Sequence, residues 1–273
     1  MKEVVGYMKA LDFEYDSVRL SDVGLQLCKF DGGGMDTINF PEITFNTVSM
    51  HGGIKNHITS VEYEECLTFT LQICPNMCDG RDFELTVDDI RNLSKWLNRR
   101  KFHKFRLIDD EYSGISCNAS FNISKVEMDG KVIGLELEAF TDSPFMWQDP
   151  VTIKFDVEAN REKDIYSKSD LSGYLYPDLT TITVKESGNL RIESLTEDRV
   201  TVINNCTAGE VITMDYSLIS SSLGDGRGTK IQNDFNWIFP RLASSFKNNL
   251  NELTFSLPCS VEMVYTPVAK VGV

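Results

Sequence analysis

The sequence predicts a mainly β protein of two domains, the first of α+β type with one helix and the second all β. Three observations carry this. Apolar and polar residues alternate with a period of two over long stretches, the mark of strands with one buried and one wet face. A single segment, Thr86 to Lys101, has helical spacing instead. Pro144, Trp147 and Pro150 interrupt the pattern midway along a chain of 273 residues, a length of roughly two domains. We place the boundary there, with domains over residues 1–147 and 148–273.

Leu67, Phe69, Leu71 and Ile73 alternate as a strand. In the helix, Thr86 is a predicted N-cap, Asp88 and Asp89 suit the positive N-terminal end, and Ile90, Leu93, Trp96 and Leu97 form the apolar stripe. A strand over Phe102–Leu107 follows at once. Next come Cys117, Ala119, Phe121 and Ile123, then Asp129-Gly130, then Ile133, Leu135, Leu137 and Ala139, which predict an antiparallel hairpin.

The second half opens with Val151, Ile153, Phe155 and Val157 in alternation. Shorter pieces follow at Ile182/Val184, Leu190/Ile192, Val200/Val202 and Ile212/Met214/Tyr216. The last run, Phe255, Leu257, Cys259, Val261, Met263 and Tyr265, predicts one long strand, with Pro258 marking an edge or bulge. A weak helical turn is expected near Pro240–Phe246. The loops Asp31–Met35 and Gly224–Gly228 are the flexible candidates. Such strand spacing fits a sandwich or barrel.

Composition excludes several classes. Lys and Arg number 27 against 41 Asp and Glu, a net charge of −14, which opposes global binding to nucleic acid or to anionic membranes. Uninterrupted apolar runs are far shorter than the ~20 residues of a spanning helix. Met1 to Asp16 lacks an apolar core of signal-peptide length, so the expectation is a soluble, unsecreted chain with reduced thiols. The 7 cysteines read as small core hydrophobes. Cys74-Pro-Asn-Met-Cys78, with Cys66 or His57, is a single loose ligand pair where zinc sites usually show two.

Catalytic patterns are absent. No Gly-x-Ser-x-Gly elbow occurs. His51, His57 and His103 are the 3 histidines, and each reads as a loop or surface residue. Carboxylates cluster at Asp109-Asp110-Glu111 and at Glu62, Glu64 and Glu65, as solvated turns do. Leu223-Gly-Asp-Gly-Arg-Gly-Thr-Lys230 lacks the Lys-Ser/Thr that opens the helix of a phosphate loop, and strand-like sequence is expected after it. Asn118, Asn122 and Asn205 are sequon-like positions that suit wet strand faces. The basic run Arg99–Arg106 interleaves aromatics, as single-strand binders do, but equally fits a helix C-terminus followed by a charge-guarded edge strand. No catalytic, cofactor-binding or metal residue is assigned.

Three stretches in order resemble the distal tail protein family of long, non-contractile-tailed bacteriophages or prophages. They are Phe13-Glu-Tyr-Asp-Ser-Val-Arg-Leu-Ser-Asp-Val-Gly-Leu25; Asp88 to Trp147, with Trp96-Leu97, Tyr112 and the close Ala139-Phe-Thr-Asp-Ser-Pro-Phe145; and Asn233-Asp-Phe-Asn-Trp-Ile-Phe-Pro-Arg-Leu242, followed by Asn248-Asn-Leu-Asn-Glu-Leu253 and Val264-Tyr265. The resemblance implies an N-terminal split β-barrel-like ring domain and a C-terminal galectin-like β-sandwich, with a turn containing Asn251 before the last strand. It implies a structural role without catalysis or cofactor: a homo-hexameric ring at the virion tail tip, assembled in the host bacterial cytoplasm. The implied partners are tail-tube protein, tape-measure protein and the hub or fibre protein of the receptor-binding apparatus. Neither a membrane nor a specific nucleic-acid sequence is among them. DNA would cross the lumen, which an acidic surface would keep from sticking.

The alternative is a carbohydrate-binding module for host-surface recognition. Galectins use a His/Asn/Arg set and a stacking Trp. The second half has no histidine, and Trp237 is expected in the core. An exposed edge for assembly is expected at Val151–Val157 or in the hairpin from Ile115 to Ala139.

Overall fold

The computed structural model describes residues 12–30, 43–49, 55–63, 66–77, 83–110 and 113–270. The loop Asp31–Met35 lies outside them. The chain divides into two compact units, Met1–Met146 with Val271–Val273, and Trp147–Lys270.

In the first unit the strands are β1 (Asp12–Tyr15), β2 (Val18–Arg19), β3 (Leu25–Cys28), β4 (Ile43–Ser49), β5 (Asn56–Tyr63) and β6 (Thr68–Pro75). Helix α1 (Val87–Leu97) follows, then β7 (His103–Ile108), β8 (Ile115–Met128) and β9 (Lys131–Thr141). The main sheet has the order β2-β1-β7-β8-β9-β6-β3, and all its neighbours are antiparallel. Its two edges, β2 and β3, approach one another through the short turn Ser21–Val23. The sheet rolls up there without closing, and β4 and β5 form a separate two-stranded sheet.

Alternation decides which side chains fill this roll. Phe13, Tyr15, Phe105 and Phe121 are buried, with Phe13 and Phe105 ring centroids 5.4 Å apart and Tyr15 and Phe121 5.1 Å apart. Leu93 and Leu97 of α1 are buried against the sheet, and Trp96 stacks on Phe13 at 6.0 Å. The predicted cap of α1 is present: Thr86 Oγ1 accepts from Asp89 N, and the Asp89 carboxylate accepts from Thr86 N. The hairpin β8–β9 turns through Asp129-Gly130, whose φ angles of 50° and 76° are both left-handed, as a two-residue turn matching the strand twist requires.

The basic charge of the strand after α1 suggests an edge, but β7 lies between β1 and β8, with Phe105 opposite Tyr15 and Cys117. The acidic strand β1 covers it: Glu14 stands directly opposite Arg106 and accepts from it at 2.9 Å.

The short strand β10 (Met146–Gln148) leads into the second unit. Its strands are β11 (Val151–Val157), β12 (Arg161–Tyr166), β13 (Gly173–Leu175), β14 (Leu179–Val184), β15 (Gly188–Ser194), β16 (Arg199–Cys206), β17 (Val211–Met214) and β18 (Ile219–Ser221). The one-turn helix α2 (Ile231–Asp234) precedes β19 (Leu242–Ser244), β20 (Leu250–Phe255), β21 (Cys259–Tyr265) and β22 (Val268–Ala269). One sheet has the order β11-β21-β14-β17-β18 and the other β12-β20-β15-β16. Ile182, Ile212, Val261 and Met263 of the first sheet join Leu190, Ile192, Ile203 and Phe255 of the second in one buried core, so the unit is a β-sandwich.

Three expectations fail here. The run Phe255–Tyr265 is two strands, not one: the chain crosses from β20 in one sheet to β21 in the other at Ser256–Pro258. Pro258 marks that crossing, and β21 lies centrally between β11 and β14. The helical turn near Pro240–Phe246 is instead β19, paired with β13. Asn251 sits inside β20, fully buried, and fastens β19 by accepting from Ala243 N at 2.7 Å and donating to Ala243 O at 3.0 Å.

Candidate assembly surface

The residues with chemical potential are mostly engaged within the chain. Arg99 donates to Asp16 at 2.6 Å and to the Trp96 carbonyl at 2.7 Å. His103 lies 3.4 Å from the same Asp16. The Arg99 hydrogen bond holds the Asp16 carboxyl below the usual range. Arg100 and Lys101 remain exposed beyond the end of α1. The positive run is thus a helix terminus and a paired strand.

Glu62 is exposed on β5, and Asp109 and Asp110 follow β7. Glu64, Glu65, Glu111, Tyr112, His51 and Cys78 lie outside the described residues. His57 is exposed on β5, Cys66 is exposed, and Cys28 and Cys74 are partly buried. Cys117, Cys206 and Cys259 are buried, and burial pushes the Cys117 and Cys259 thiols up to about 12. Such thiols are inert as nucleophiles at neutral pH. Among the described residues no three His, Cys, Asp or Glu side chains gather as a metal site would. Asn118, Asn122 and Asn205 are exposed, as wet-face positions are.

The glycine-rich loop is a packed corner. A single turn, Gly224–Arg227, leads into α2, where strand was expected. The Arg227 side chain is fully buried and donates to Glu210 at 2.7 Å, to the Asn204 carbonyl at 2.6 Å and to Asp234. Burial opposes its charge, yet the hydrogen bonds it donates to Glu210 and Asp234 keep its pKa above the ordinary value. Hydrogen bonding from Thr229, helped by Arg227, holds the Asp234 carboxyl low. A guanidinium with no exposed side-chain surface is not presented to a phosphate.

Trp237 departs from its predicted place in the core. It is 53% exposed, with a left-handed φ of 59°, and its ring leans on Phe235 and Phe239 at 5.7 and 6.4 Å. The chain turns outward there because the Asn236 side chain is tied to Val202 N and Val200 O of β16. Elsewhere in the second unit, a shallow pocket of about 280 Å³ lies over β11, β14 and β21. Its charges pair with each other, Lys154 with Glu262 at 3.0 Å and Lys185 with Asp156 at 2.7 Å.

The feature that stands out is the β4–β5 hairpin, which sequence reasoning did not single out. Opposed residues share a face, and Ile43↔Tyr63, Phe45↔Val61 and Thr47↔Ile58 are opposed. The register shifts by one residue between Asn46 and Thr47, leaving Thr59 as the extra residue, with its hydroxyl donating to Asn46 O at 2.9 Å. Without that bulge, Ile58 would fall on the face opposite Val61. With it, Ile43, Phe45, Ile58 and Val61 form one apolar ridge, exposed by 46, 54, 60 and 49%. The other face is largely polar, and there Asn46 donates to Ser60 at 2.8 Å.

Half of four large side chains is on the order of 350 Å² of apolar surface, comparable to the largest apolar patch of a typical monomer, which is often functional. A two-stranded sheet alone is marginal in water, which makes a covering partner the more needed. The base of the hairpin is anchored by Tyr63, packed edge-on against Phe145 at 4.6 Å. Its alternation is visible in the sequence at Ile43/Phe45 and Val61/Tyr63. The bulge, however, breaks the phase and hides the ridge from a period-two search.

A second apolar surface lies at the seam of the rolled sheet. A groove of about 360 Å³ is lined by Val18, Val23, Leu25, Leu85, Leu93 and Trp96, together with the polar Asp89 and Asn92. The Trp96 indole N–H is satisfied by Tyr15 O at 3.2 Å, so its ring adds apolar surface without an unmet donor.

Comparison with known proteins gives a consistent picture. Two family profiles match the chain: one described as a phage tail protein N-terminal domain over residues 8–143, the other as a phage tail C-terminal domain over residues 145–265. Among curated proteins no sequence matches. One similar solved structure is that of the Dit protein of phage SPP1, titled a paradigm of the hub adsorption apparatus in phages that infect Gram-positive bacteria. Its TM-score is 0.62 at 12% identity, covering 94% of this chain and 99% of that one.

Proposed function

Because the chain belongs to the phage tail protein family and has a Dit-like fold, we propose that it is the distal ring of the tail, a passive adaptor between tail tube and hub. The single observation that supports this best is the unpartnered apolar ridge of the β4–β5 hairpin. A closed ring of identical copies needs a complementary surface at every junction, and an exposed ridge of this kind suits that need. In this reading the first unit, taken as a domain over residues 1–147, forms the ring, and residues 148–273 make up the second domain, a sandwich. Copies assemble in the host cytoplasm, with the tail-tube, tape-measure and hub or fibre proteins as neighbours. No reaction is assigned.

The saccharide-binding alternative draws on the exposed ring of Trp237, but the polar Asn236 beside it is spent on β16. The structural role is therefore preferred. Mass measurement in solution tests it. The expected species contains six copies, alone or together with tail-tube protein. A chain that stays single in both conditions would sink the proposal.

A further inference from the structure

We infer that β11, an edge strand of the sandwich, pairs antiparallel with β11 of a second copy of this chain about a two-fold axis through Phe155. The inference goes beyond the ring reading and does not rest on it.

The strand is an open edge of the kind that folded chains usually guard. Its 7 residues pair with β21 without a register shift, from Val151↔Tyr265 to Val157↔Cys259. On its other side it has no sheet neighbour among the described residues. It contains neither proline nor bulge. The remaining edges of the sandwich are protected. β18 is only 3 residues long, and β12 opens with the charged run Arg161-Glu-Lys-Asp164. β16 is covered by the segment after α2: Phe235 bridges Ile203, while Asn236 donates its N–H to Val202 O and accepts from Val202 N.

The pattern along β11 selects both partner and register. Val151, Ile153, Phe155 and Val157 pack on the core, whereas Thr152, Lys154 and Asp156 stand exposed. A strand added to this edge has to alternate in the same phase, or wet side chains meet dry ones. Antiparallel pairing about Phe155 keeps the phase. Ile153 then stands opposite Val157, Phe155 opposite its own copy, and Lys154 opposite Asp156 on both sides of the axis. Opposite charges facing each other across strands are favourable, and like charges are not. An axis at Lys154 or at Asp156 sets that charge against itself, and an axis at Ile153 leaves Asp156 facing no cation. An axis between two residues breaks the phase. The strand is thus complementary to itself in a single register. Within the chain Lys154 pairs with Glu262 and Asp156 with Lys185, yet their side chains stay 68 and 72% exposed, open to a second partner. Such a contact joins copies two at a time and closes at once, unlike the head-to-tail junction of a ring. It is short, so the pairing is weak and depends on concentration.

A zero-length crosslink tests the contact on the unmodified, full-length chain. Chains grown with ordinary nitrogen and with nitrogen-15 are mixed at high concentration and treated with a carbodiimide, which joins an amine to a carboxylate in contact with it. The expected product is a peptide pair of mixed isotope, linking Lys154 of one copy to Asp156 of the other; links within one chain carry a single isotope. Absence of that pair, or mixed-isotope links at other residues only, overturns the inference. The ring reading is scored separately: six copies without this link sink the pairing alone, and the link without six copies leaves the pairing standing.

A charge exchange supplies the second arm. Lys154→Glu and Asp156→Lys each place like charges across the axis, both at exposed positions, with folding checked by circular dichroism. Each variant alone is expected to need at least a tenfold higher concentration before its mass in solution doubles. Mixed in equal amounts, the introduced glutamate faces the introduced lysine and the native Asp156 faces the native Lys154, so doubling should return at the unmodified chain's concentration. Single variants that double like the unmodified chain, or a mixture no better than its parts, would refute the pairing.

Discussion

At Arg227 a guanidinium with no exposed side-chain surface lies between Glu210 and Asp234, and the Ser221 hydroxyl adds a 2.6 Å hydrogen bond to Glu210. Removing the cation from such a site leaves a buried carboxylate without its partner, which costs about 3–5 kcal/mol. Arg227→Met should therefore lower the unfolding free energy of the second unit by roughly that much in a denaturant titration. Adding Glu210→Leu should return part of the loss, because the orphaned charge goes with it. A neutral result for Arg227→Met would mean that the cluster does not hold the corner. The local sequence, three glycines and an arginine, suggests a mobile tip. The partners that lock it come from Asn204, Glu210 and Asp234, and nothing in residues 223–230 signals them.

Gly134 on β9 shows how tightly the elements of the first unit meet. A methyl group added there would come within 2.3 Å of the Phe30 ring and 2.4 Å of the Ile73 carbonyl oxygen. The backbone oxygen cannot swing aside, so Gly134→Ala should cost about 1–3 kcal/mol of stability, read from the denaturation midpoint. An unchanged midpoint would show that β9 can move away from β6.

The elements also explain what the sequence reveals. The β8–β9 hairpin was legible because one wet face, one dry face and Asp129-Gly130 all agree. Helix α1 was legible from Thr86 and Asp89 at capping distance. The break between β20 and β21 was not, because both strands point their apolar residues into the same core and the alternation stays in phase through Ser256–Pro258. The β4–β5 ridge escaped notice for the reverse reason: its face is continuous in space but out of phase in sequence. Trp237 failed at a single left-handed residue, which period-two patterns do not register.

Acidity acts across the whole molecule. Among the described residues four carboxyls are held below the usual range: Asp16 through Arg99, Asp156 through Lys185, Asp215 through the Ser217 and Leu218 backbone N–H groups, and Asp234 through Thr229. A carboxyl whose folded pKa is depressed stabilises the fold above its unfolded value, and that contribution is lost as pH falls through the folded value. The melting temperature should thus stay level from neutral pH to about 5 and fall progressively below that. A melting temperature that rises on acidification would contradict these assignments.

The pairing of Asn46 with Ser60, and of Thr47 with Ile58, also bears on heredity. Substitutions along the ridge change its grip in small steps. Loss of one codon at Thr59 would remove only the bulge, leaving Ile58 opposite Thr47 and on the same face as Val61. Lineages carrying this gene should therefore tolerate loss of that one residue while keeping apolar side chains at the ridge positions.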